Sequence, residues 1–567
     1  MMTQPLPTKR HLLAVLLEDY YHVGAFSYLI QRGQWAHFEA RFEHNTLMAL
    51  DLLDRFQAKV TFFSLGWIAE RQHEIIREIT RRGHEIALYS NLELARTSPT
   101  EFRDDILRAR DMLEEAGQAK VVGFRAAQRW QYKTAQGALE TLAQEGFAYD
   151  ASIVPTLDEL RQHPARRFAH ELQFGTTSLH EFPVSTWKMP GILMPIAGGN
   201  FFRQFPHTIL KQAVRNWHES YDAPFVMYFH VWELDRLQPR INSASSLTKI
   251  RHYRNLGKMY WVIEDYLRKY NFTSFAEHLN LDTKLEPDLI ETKLLNKPKP
   301  ILITSQETNK IPISIVIPCF NEESSLPYLA NTLASVEETL SEKYKPTFIF
   351  VDDCSKDQTW ESLQKIFSLK PNFKLVRHEQ NRGVAAAIMT GIHAAKTEIV
   401  CSMDCDCSYD PHELKNMIPL LQGDVSMVTA SPYHAEGKVL NVPAWRLTLS
   451  KGSSFLYRQV LRQNLATYTS CFRVYKKSIV EKLQLEENNF LGVAELLGKL
   501  DLQGEKIVEY PTTLAVRLFG YSKMKLVKTI FGHLRLLSRL MKRRMASRKT
   551  ISDSSQQNLQ IRDVTIK

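Results

Sequence analysis

The sequence predicts an α/β protein of two globular regions in tandem, and three observations carry that expectation. Short apolar runs of strand length alternate with segments of helical spacing through both halves of the chain. A Lys-, Pro- and Thr-rich stretch, residues 283–310 with Pro287, Pro298 and Pro300, separates the halves and reads as a linker. Acidic pairs follow apolar runs directly, at Glu18-Asp19, Asp352-Asp353 and Asp404-Cys405-Asp406. Strand carboxyl ends are where α/β sheets keep their ligands.

In the first region, residues 1–282, Leu12–Leu17 reads as a strand, and so do Lys59–Ser64, His84–Leu88, Val121–Arg125 and Phe225–His230. Helical spacing marks Asn45–Gln57, Arg71–Arg82 (ended by Gly83), Glu101–Ala116 and Thr134–Gly146. This order argues for parallel strands, but periodicity does not separate a barrel from an open sheet. The second region, 311–528, opens on the buried strand Ile313–Pro318 and continues with strands Phe348–Val351, Lys374–Arg377 and Glu398–Met403. Helices Ser325–Leu340, Asp357–Leu369 and Gly383–Ala395 fall between them. That βαβαβαβ series predicts a Rossmann-like, doubly wound parallel sheet.

Composition excludes some functions. At 44% hydrophobic and 24% charged residues the 567-residue chain is ordinary for a folded protein, so global disorder is excluded. Six cysteines, all in the second half, are too few for a disulfide framework and favour a reducing compartment. Cys401, Cys405 and Cys407 have no CxxC pair or His partner to complete a zinc set. Lys9-Arg10 before His11–Leu17 imitates a signal peptide, but the run stops at Glu18-Asp19 and no cleavage site follows. No stretch reaches the ~20 apolar residues of a membrane span. The net charge of +10 equals the ten Lys and Arg between Lys523 and Lys549, a segment without Asp or Glu, which argues against general nucleic-acid binding. Within it Leu526, Ile530, Leu534, Leu537 and Met541 recur at helical spacing, predicting a basic amphipathic helix over 529–549 suited to an anionic membrane surface. The polar tail, 550–567, is expected to be disordered. The expected location is the cytoplasm, peripheral at the inner face of the membrane.

Asp404 and Asp406 can hold a divalent cation, Mg or Mn, against a diphosphate, and Asp352-Asp353 can accept hydrogen bonds from a ribose or base. Each pair alone also fits an ordinary strand-end turn. The order of the pieces is more specific. Ile315-Val-Ile-Pro-Cys-Phe-Asn-Glu-Glu323, Val351-Asp-Asp-Cys-Ser-Lys-Asp-Gln-Thr359, Asn381-Arg-Gly383 and Met403-Asp-Cys-Asp-Cys-Ser-Tyr-Asp-Pro411 come in sequence. Thr469-Ser-Cys-Phe-Arg-Val-Tyr475 and Arg517-Leu-Phe-Gly-Tyr-Ser-Lys523 follow. Over these pieces the region resembles the family 2 glycosyltransferases, most closely their polyprenyl-phosphate (dolichyl-phosphate mannosyltransferase-like) branch.

The resemblance implies a GT-A type fold and a nucleotide-sugar donor. By that resemblance Pro318, Phe320 and Glu322 should line the nucleotide pocket, Asp352 should bind base or ribose, and Asp404 and Asp406 should hold sugar-nucleotide and metal. Ser408 stands where that branch commonly has Gln. Arg473, Arg517 and Lys523 are candidates to grip an acceptor phosphate, because guanidinium forks match phosphate geometry. Each is equally a candidate for solvated surface charge.

The first region resembles the polysaccharide deacetylases through Leu17-Glu-Asp-Tyr-Tyr-His-Val23, Lys59-Val-Thr-Phe-Phe-Ser-Leu-Gly-Trp67, Arg82-Gly-His-Glu-Ile-Ala87, Gly123-Phe-Arg-Ala126 and Tyr228-Phe-His-Val-Trp-Glu-Leu234. The implied fold is a distorted (β/α) barrel. The family's metal is held by an Asp and a His-x-x-x-His pair; here Asp19 stands at the Asp position, Glu18 at that of the base, and Tyr89 and Glu93 at the two His positions. Arg125 and His230 remain, and Ala127 replaces a family Pro. The expectation is a degenerate deacetylase that binds glycan, with Glu18 a vestigial base. The alternative is an active deacetylase with an altered metal site using Asp19 and Glu93. The chain as a whole is expected to transfer a sugar, with inversion, to a polyprenyl phosphate or glycan acceptor in envelope polysaccharide synthesis.

Overall fold

The computed structural model describes residues 9–189, 191–196, 198–285, 310–520 and 529–546. Most of the expected linker, the expected tail, residues 547–549 of the expected C-terminal helix, and Lys523 lie outside these residues. The chain divides into two compact units, one mostly before residue 302 and one mostly after it.

In the first unit the run that imitates a signal peptide becomes strand β1 (Arg10–Leu17). All seven residues after Arg10 are buried, and only a strand packed on both faces tolerates such a run. Strand and helix then alternate: α1 (Phe42–Arg55), β2 (Thr61–Ser64), α2 (His73–Arg81), β3 (Glu85–Ser90), α3 (Pro99–Gly117), β4 (Gly123–Ala126), α4 (Tyr132–Gln144) and β5 (Tyr149–Asp150). The strands β6 (His170–Phe174), β7 (Thr177–Glu181), β8 (Val226–His230) and β9 (Asn271–Thr273) complete a nine-stranded sheet ordered β8-β1-β2-β3-β4-β5-β7-β6, with β9 also paired to β1. Every pairing is parallel except β6 with β7.

The α/β expectation holds for this unit, but among the described residues no strand pairing joins β8 to β6 to close a barrel. The free side of β8 meets a loop instead, where Gly199 N–H donates to the Tyr228 carbonyl (3.1 Å). The helix expected over Arg71–Arg82 begins later, at His73. Gln72 (φ −139°, ψ 64°) leaves helical geometry and separates α2 from a short helix over Gly66–Arg71.

The second unit builds β10 (Ile311–Cys319), α5 (Leu326–Leu340), β11 (Tyr344–Asp352), α6 (Thr359–Phe367), β12 (Phe373–Arg377), α7 (Val384–Ala394) and β13 (Ile399–Ser402), as the sequence pattern predicts. It continues with β14 (Val425–Ser431), α8 (Ala444–Val460), β15 (Arg473–Lys476), α9 (Phe490–Gln503) and β16 (Lys506–Pro511). The seven strands run β12-β11-β10-β13-β15-β14-β16. The first four are parallel, but β15 is antiparallel to both neighbours, so the sheet is mixed rather than wholly parallel. The strand order reverses between β10 and β13, the switch point where loops splay apart and leave a crevice.

Residues 529–546 are helical. Leu536, Leu537 and Leu540 bury in the same apolar core as α7 and α9, and the Tyr457 hydroxyl of α8 hydrogen-bonds His533 (2.8 Å).

Candidate active site

The crevice of the second unit is framed by the segments that follow β10, β11 and β13. Asn321, in the left-handed region at φ 52°, stitches the first two together: its N–H donates to Ser355 Oγ (2.8 Å), and its Oδ1 accepts from Lys356 N–H (2.6 Å). Glu322 N–H donates to Thr359 Oγ1 (2.7 Å). These bonds fix the loop on which Pro318 and Phe320 stand half-buried beside the buried Glu322.

The adjacent acids of the second pair part company. Asp352, the last residue of β11, is fully buried and pairs with Arg377 Nε (3.1 Å). Asp353 accepts N–H bonds from Arg382 (2.8 Å) and Gly383 (2.7 Å) and a contact from His378 Nδ1 (2.7 Å). Asp353 therefore clamps the turn before α7, and its donor-facing role at a ribose is replaced by this anchoring. Gly383 sits at φ 100°, and a Cβ there would lie 2.4 Å from the Asn488 carbonyl oxygen, so the clamped turn admits only glycine.

The third pair carries the charge of the crevice. Asp406 Oδ1 accepts from Ser408 N–H (2.9 Å), while Oδ2 accepts from Arg517 Nε. Arg517 NH1 donates to Glu322 Oε1 (2.9 Å). One guanidinium thus bridges carboxylates from the β10 and β13 loops. Asp404 stands beside them; burial, then the Asp406 charge, raise its pKa, while Arg517 pulls it down. Ser408 contributes its backbone, with its carbonyl accepting from Ala515 N–H (2.9 Å).

Arg473 needs correction as a phosphate grip. It is 0% exposed, and its guanidinium donates to the carbonyls of Val493 (2.8 Å) and Tyr468 (2.9 Å), so it ties α9 to the sheet and cannot meet an acceptor. Sequence reasoning missed the Cys319 and Cys405 thiols, 3.6 Å apart and buried under the acidic loop. The strand register could have found them, because Val316 pairs with Ser402 three residues earlier on each strand.

Among the described residues, no group of three or more His, Cys, Asp or Glu is arranged to hold a metal ion. Two carboxylates on one loop are nevertheless the donor set for a hard cation that arrives with a diphosphate and keeps several waters. Asp404 and Asp406 fit that requirement.

In the first unit the donors do not fit a deacetylase metal. Asp19 Oδ1 accepts from Tyr20 N–H (2.9 Å), and Oδ2 from Arg41 N–H (2.5 Å) and Phe42 N–H (2.9 Å). The carboxylate is thus spent on the amino end of α1, and burial pushes its pKa up to about 7 against those three donors. Glu93 pairs with Arg96 (3.3 Å). Tyr89 is buried against Glu18, whose charge acts with burial to raise its phenol pKa. Glu18 Oε1 meets His230 Nδ1 (2.6 Å) and accepts from Trp232 Nε1 (3.1 Å). The altered Asp19/Glu93 metal site is therefore not assembled. His230 and Arg125 line an open cavity at the strand ends; Asp19 and Glu93 do not.

These two sites define a Rossmann-like unit with an acidic switch-point crevice and an α/β unit with a pocket at its strand ends lined by Arg125 and His230. Residues 314–484 match Glycosyl transferase family 2, residues 34–146 Polysaccharide deacetylase, and residues 151–280 a Domain of unknown function (DUF3473). The chain carries a family 2 glycosyl transferase domain behind a polysaccharide deacetylase domain.

The dolichol-phosphate mannosyltransferase of Pyrococcus furiosus is 32% identical over 232 residues, 41% of this chain and 64% of that protein. The chain thus spans just under two thirds of that relative's length. The polyprenol monophosphomannose synthase of Mycolicibacterium smegmatis is 27% identical over 217 residues, 37% of this chain and 80% of that protein. A Mycobacterium smegmatis structure assigned to the polysaccharide deacetylases aligns at TM-score 0.33 and 19% identity, over 51% of this chain and 99% of its own. The glucosyl-3-phosphoglycerate synthase of Mycobacterium tuberculosis, with Mn2+ and uridine diphosphate, aligns at TM-score 0.31 and 18% identity, over 41% and 80%.

Proposed function

We propose that the second unit transfers a sugar from a nucleotide-sugar donor, with inversion, to a polyprenyl phosphate or glycan acceptor in envelope polysaccharide synthesis. The observation that carries this reading is the gathering of Asp404, Asp406 and Glu322 around Arg517 at the switch point. The Pyrococcus relative, a dolichol-phosphate mannosyltransferase by name, supports a lipid-phosphate acceptor.

Asp404 and Asp406 would hold a divalent cation, Mg or Mn, which supplies neutralisation of the departing diphosphate. Asp352 closes the base and ribose end, with Pro318 and Phe320 as the pocket wall. Arg517 is free to turn toward phosphate once its two carboxylates are engaged elsewhere, and a guanidinium fork suits that anion. A phosphate acceptor is already anionic, so attack at the anomeric carbon needs no general base, and direct displacement inverts it.

Two helices support placement at the inner face of an anionic membrane. On 529–546, Ile530, Phe531, Leu534, Met541 and Met545 are exposed, with Arg535 and Lys542 exposed among them. On α8, Trp445, Leu449, Phe455 and Leu456 are exposed beside Lys451 and Arg458. Large apolar side chains edged by cations suit an interfacial helix. Among the described residues no helix is long and apolar enough to cross a membrane.

The first unit is a carbohydrate-binding module rather than a hydrolase, because its metal ligands are replaced or engaged. The test is consumption of UDP- and GDP-sugars by the purified full chain with Mn2+, with and without polyprenyl phosphate. Turnover stimulated by the lipid is expected; inertness toward every donor would refute the reading.

A further inference from the structure

The cavity at the strand ends of the first unit is walled by cationic and aromatic side chains. Among the described residues the cavity is lined by two guanidiniums, Arg125 and Arg129, one imidazole, His230, two phenols, Tyr89 and Tyr228, and no carboxylate. Its volume is about 90 Å³ and it opens to solvent on one side, so a ligand enters it in part and extends outward.

Arg125 is 6% exposed and held rigidly. Its NH1 donates to the Ala151 carbonyl (2.5 Å), and its guanidinium stands over the Tyr228 ring at 4.7 Å. Its Nε–H is buried without a partner, which is costly in a protein interior unless something accepts it. Arg129 is exposed, with its guanidinium over Phe201 at 5.8 Å, and Phe201 also lines the cavity.

The nearby acids are all turned to other work. Glu18 is engaged by His230 and Trp232, and Asp19 by the start of α1. Asp150 and Glu181 are fully buried at the ends of β5 and β7, and Ser152 donates to Asp150 through both N–H (3.0 Å) and Oγ (2.5 Å). Burial raises the pKa of both acids, and the Asp150 charge raises that of Glu181 further. The pocket is left with more cationic than anionic character facing the ligand.

We propose that this cavity binds an acidic sugar, gripping a ring-borne carboxylate or phosphate with Arg125 and Arg129, without any metal. A rigid arginine fork recognises such an anion with charge-assisted hydrogen bonds, and the Phe201 and Tyr228 rings offer apolar faces to the sugar. The inference rests on reading the first unit as a carbohydrate-binding module, and it names the class of sugar.

The test is isothermal titration of the full chain in EDTA, without donor, against a uronic acid disaccharide, a hexose phosphate and a neutral N-acetylated disaccharide. At least one anionic sugar is expected to bind tenfold or more tighter than the neutral one, and the stronger of the two identifies the anion. Arg129→Ala, an exposed change that leaves the fold intact, weakens that binding tenfold. Arg125→Lys, checked for folding by circular dichroism, also weakens it. Asp406→Ala leaves it unchanged, so failure here is separate from failure of the transferase reading. Equal binding of the neutral sugar, indifference to Arg129→Ala, or binding that appears only on adding a divalent metal overturns the proposal.

Discussion

Replacing Arg517 with alanine removes the guanidinium that the structure places between Asp406 and Glu322. On the proposed reading, a divalent cation held by Asp404 and Asp406 would compete with that guanidinium for at least one carboxylate. Its side chain is 28% exposed and the carboxylates 6% and 8%, so the pairs are only partly screened by water. A hydrogen bond to a charged group contributes about 1.5–3 kcal/mol. Losing that competition therefore strengthens metal binding by roughly tenfold to a hundredfold, at ~1.4 kcal/mol per tenfold. Mn2+ titration followed by electron paramagnetic resonance, without nucleotide, reads the change directly on the full chain. The same variant loses sugar transfer, because the grip on phosphate goes with it. Unchanged or weaker Mn2+ binding in Arg517→Ala would show that the guanidinium does not occupy the cation's place.

Two other consequences are open to measurement. Paired changes Phe531→Ser and Trp445→Ser reduce sedimentation with anionic phospholipid vesicles several-fold while leaving the circular dichroism spectrum unchanged, since both side chains are exposed; equal sedimentation removes the membrane placement. Glu181 has its folded-state pKa raised by burial, then by Asp150. A carboxyl group raised in the folded state stabilises it at low pH, and that stability is lost as pH rises through the folded value. The midpoint of thermal unfolding should therefore fall more as pH rises above the ordinary glutamate value of 4.5 in the wild type than in Glu181→Gln, and parallel curves would contradict the assignment.

What the sequence discloses here follows from the range of each interaction. The alternation of strand and helix is local, so β10 to β13 and the three acidic pairs that follow strands were legible. Adjacent residues at a strand end point different ways, and nothing local tells that Asp353 turns to Gly383 while Asp352 stays under the crevice. Arg473 resembles any basic residue until the carbonyls of Tyr468 and Val493 are seen to enclose it. Arg517 meets Asp406 across 111 positions, a separation no spacing rule reaches. The antiparallel β15 and the two-residue β5 carry too little periodicity to be read from pattern. The predicted stripe Ile530, Leu534, Leu537, Met541 divides in the structure, because Leu537 joins Leu536 and Leu540 in the core while the others stay outside.

The most direct measurement is calorimetric binding of a nucleoside diphosphate to the full chain, with and without Mn2+, in wild type and in Asp406→Ala. Binding is expected to depend on Mn2+ in the wild type and to be lost in the variant. Metal-independent binding that survives Asp406→Ala would contradict a carboxylate-held cation as the centre of this site.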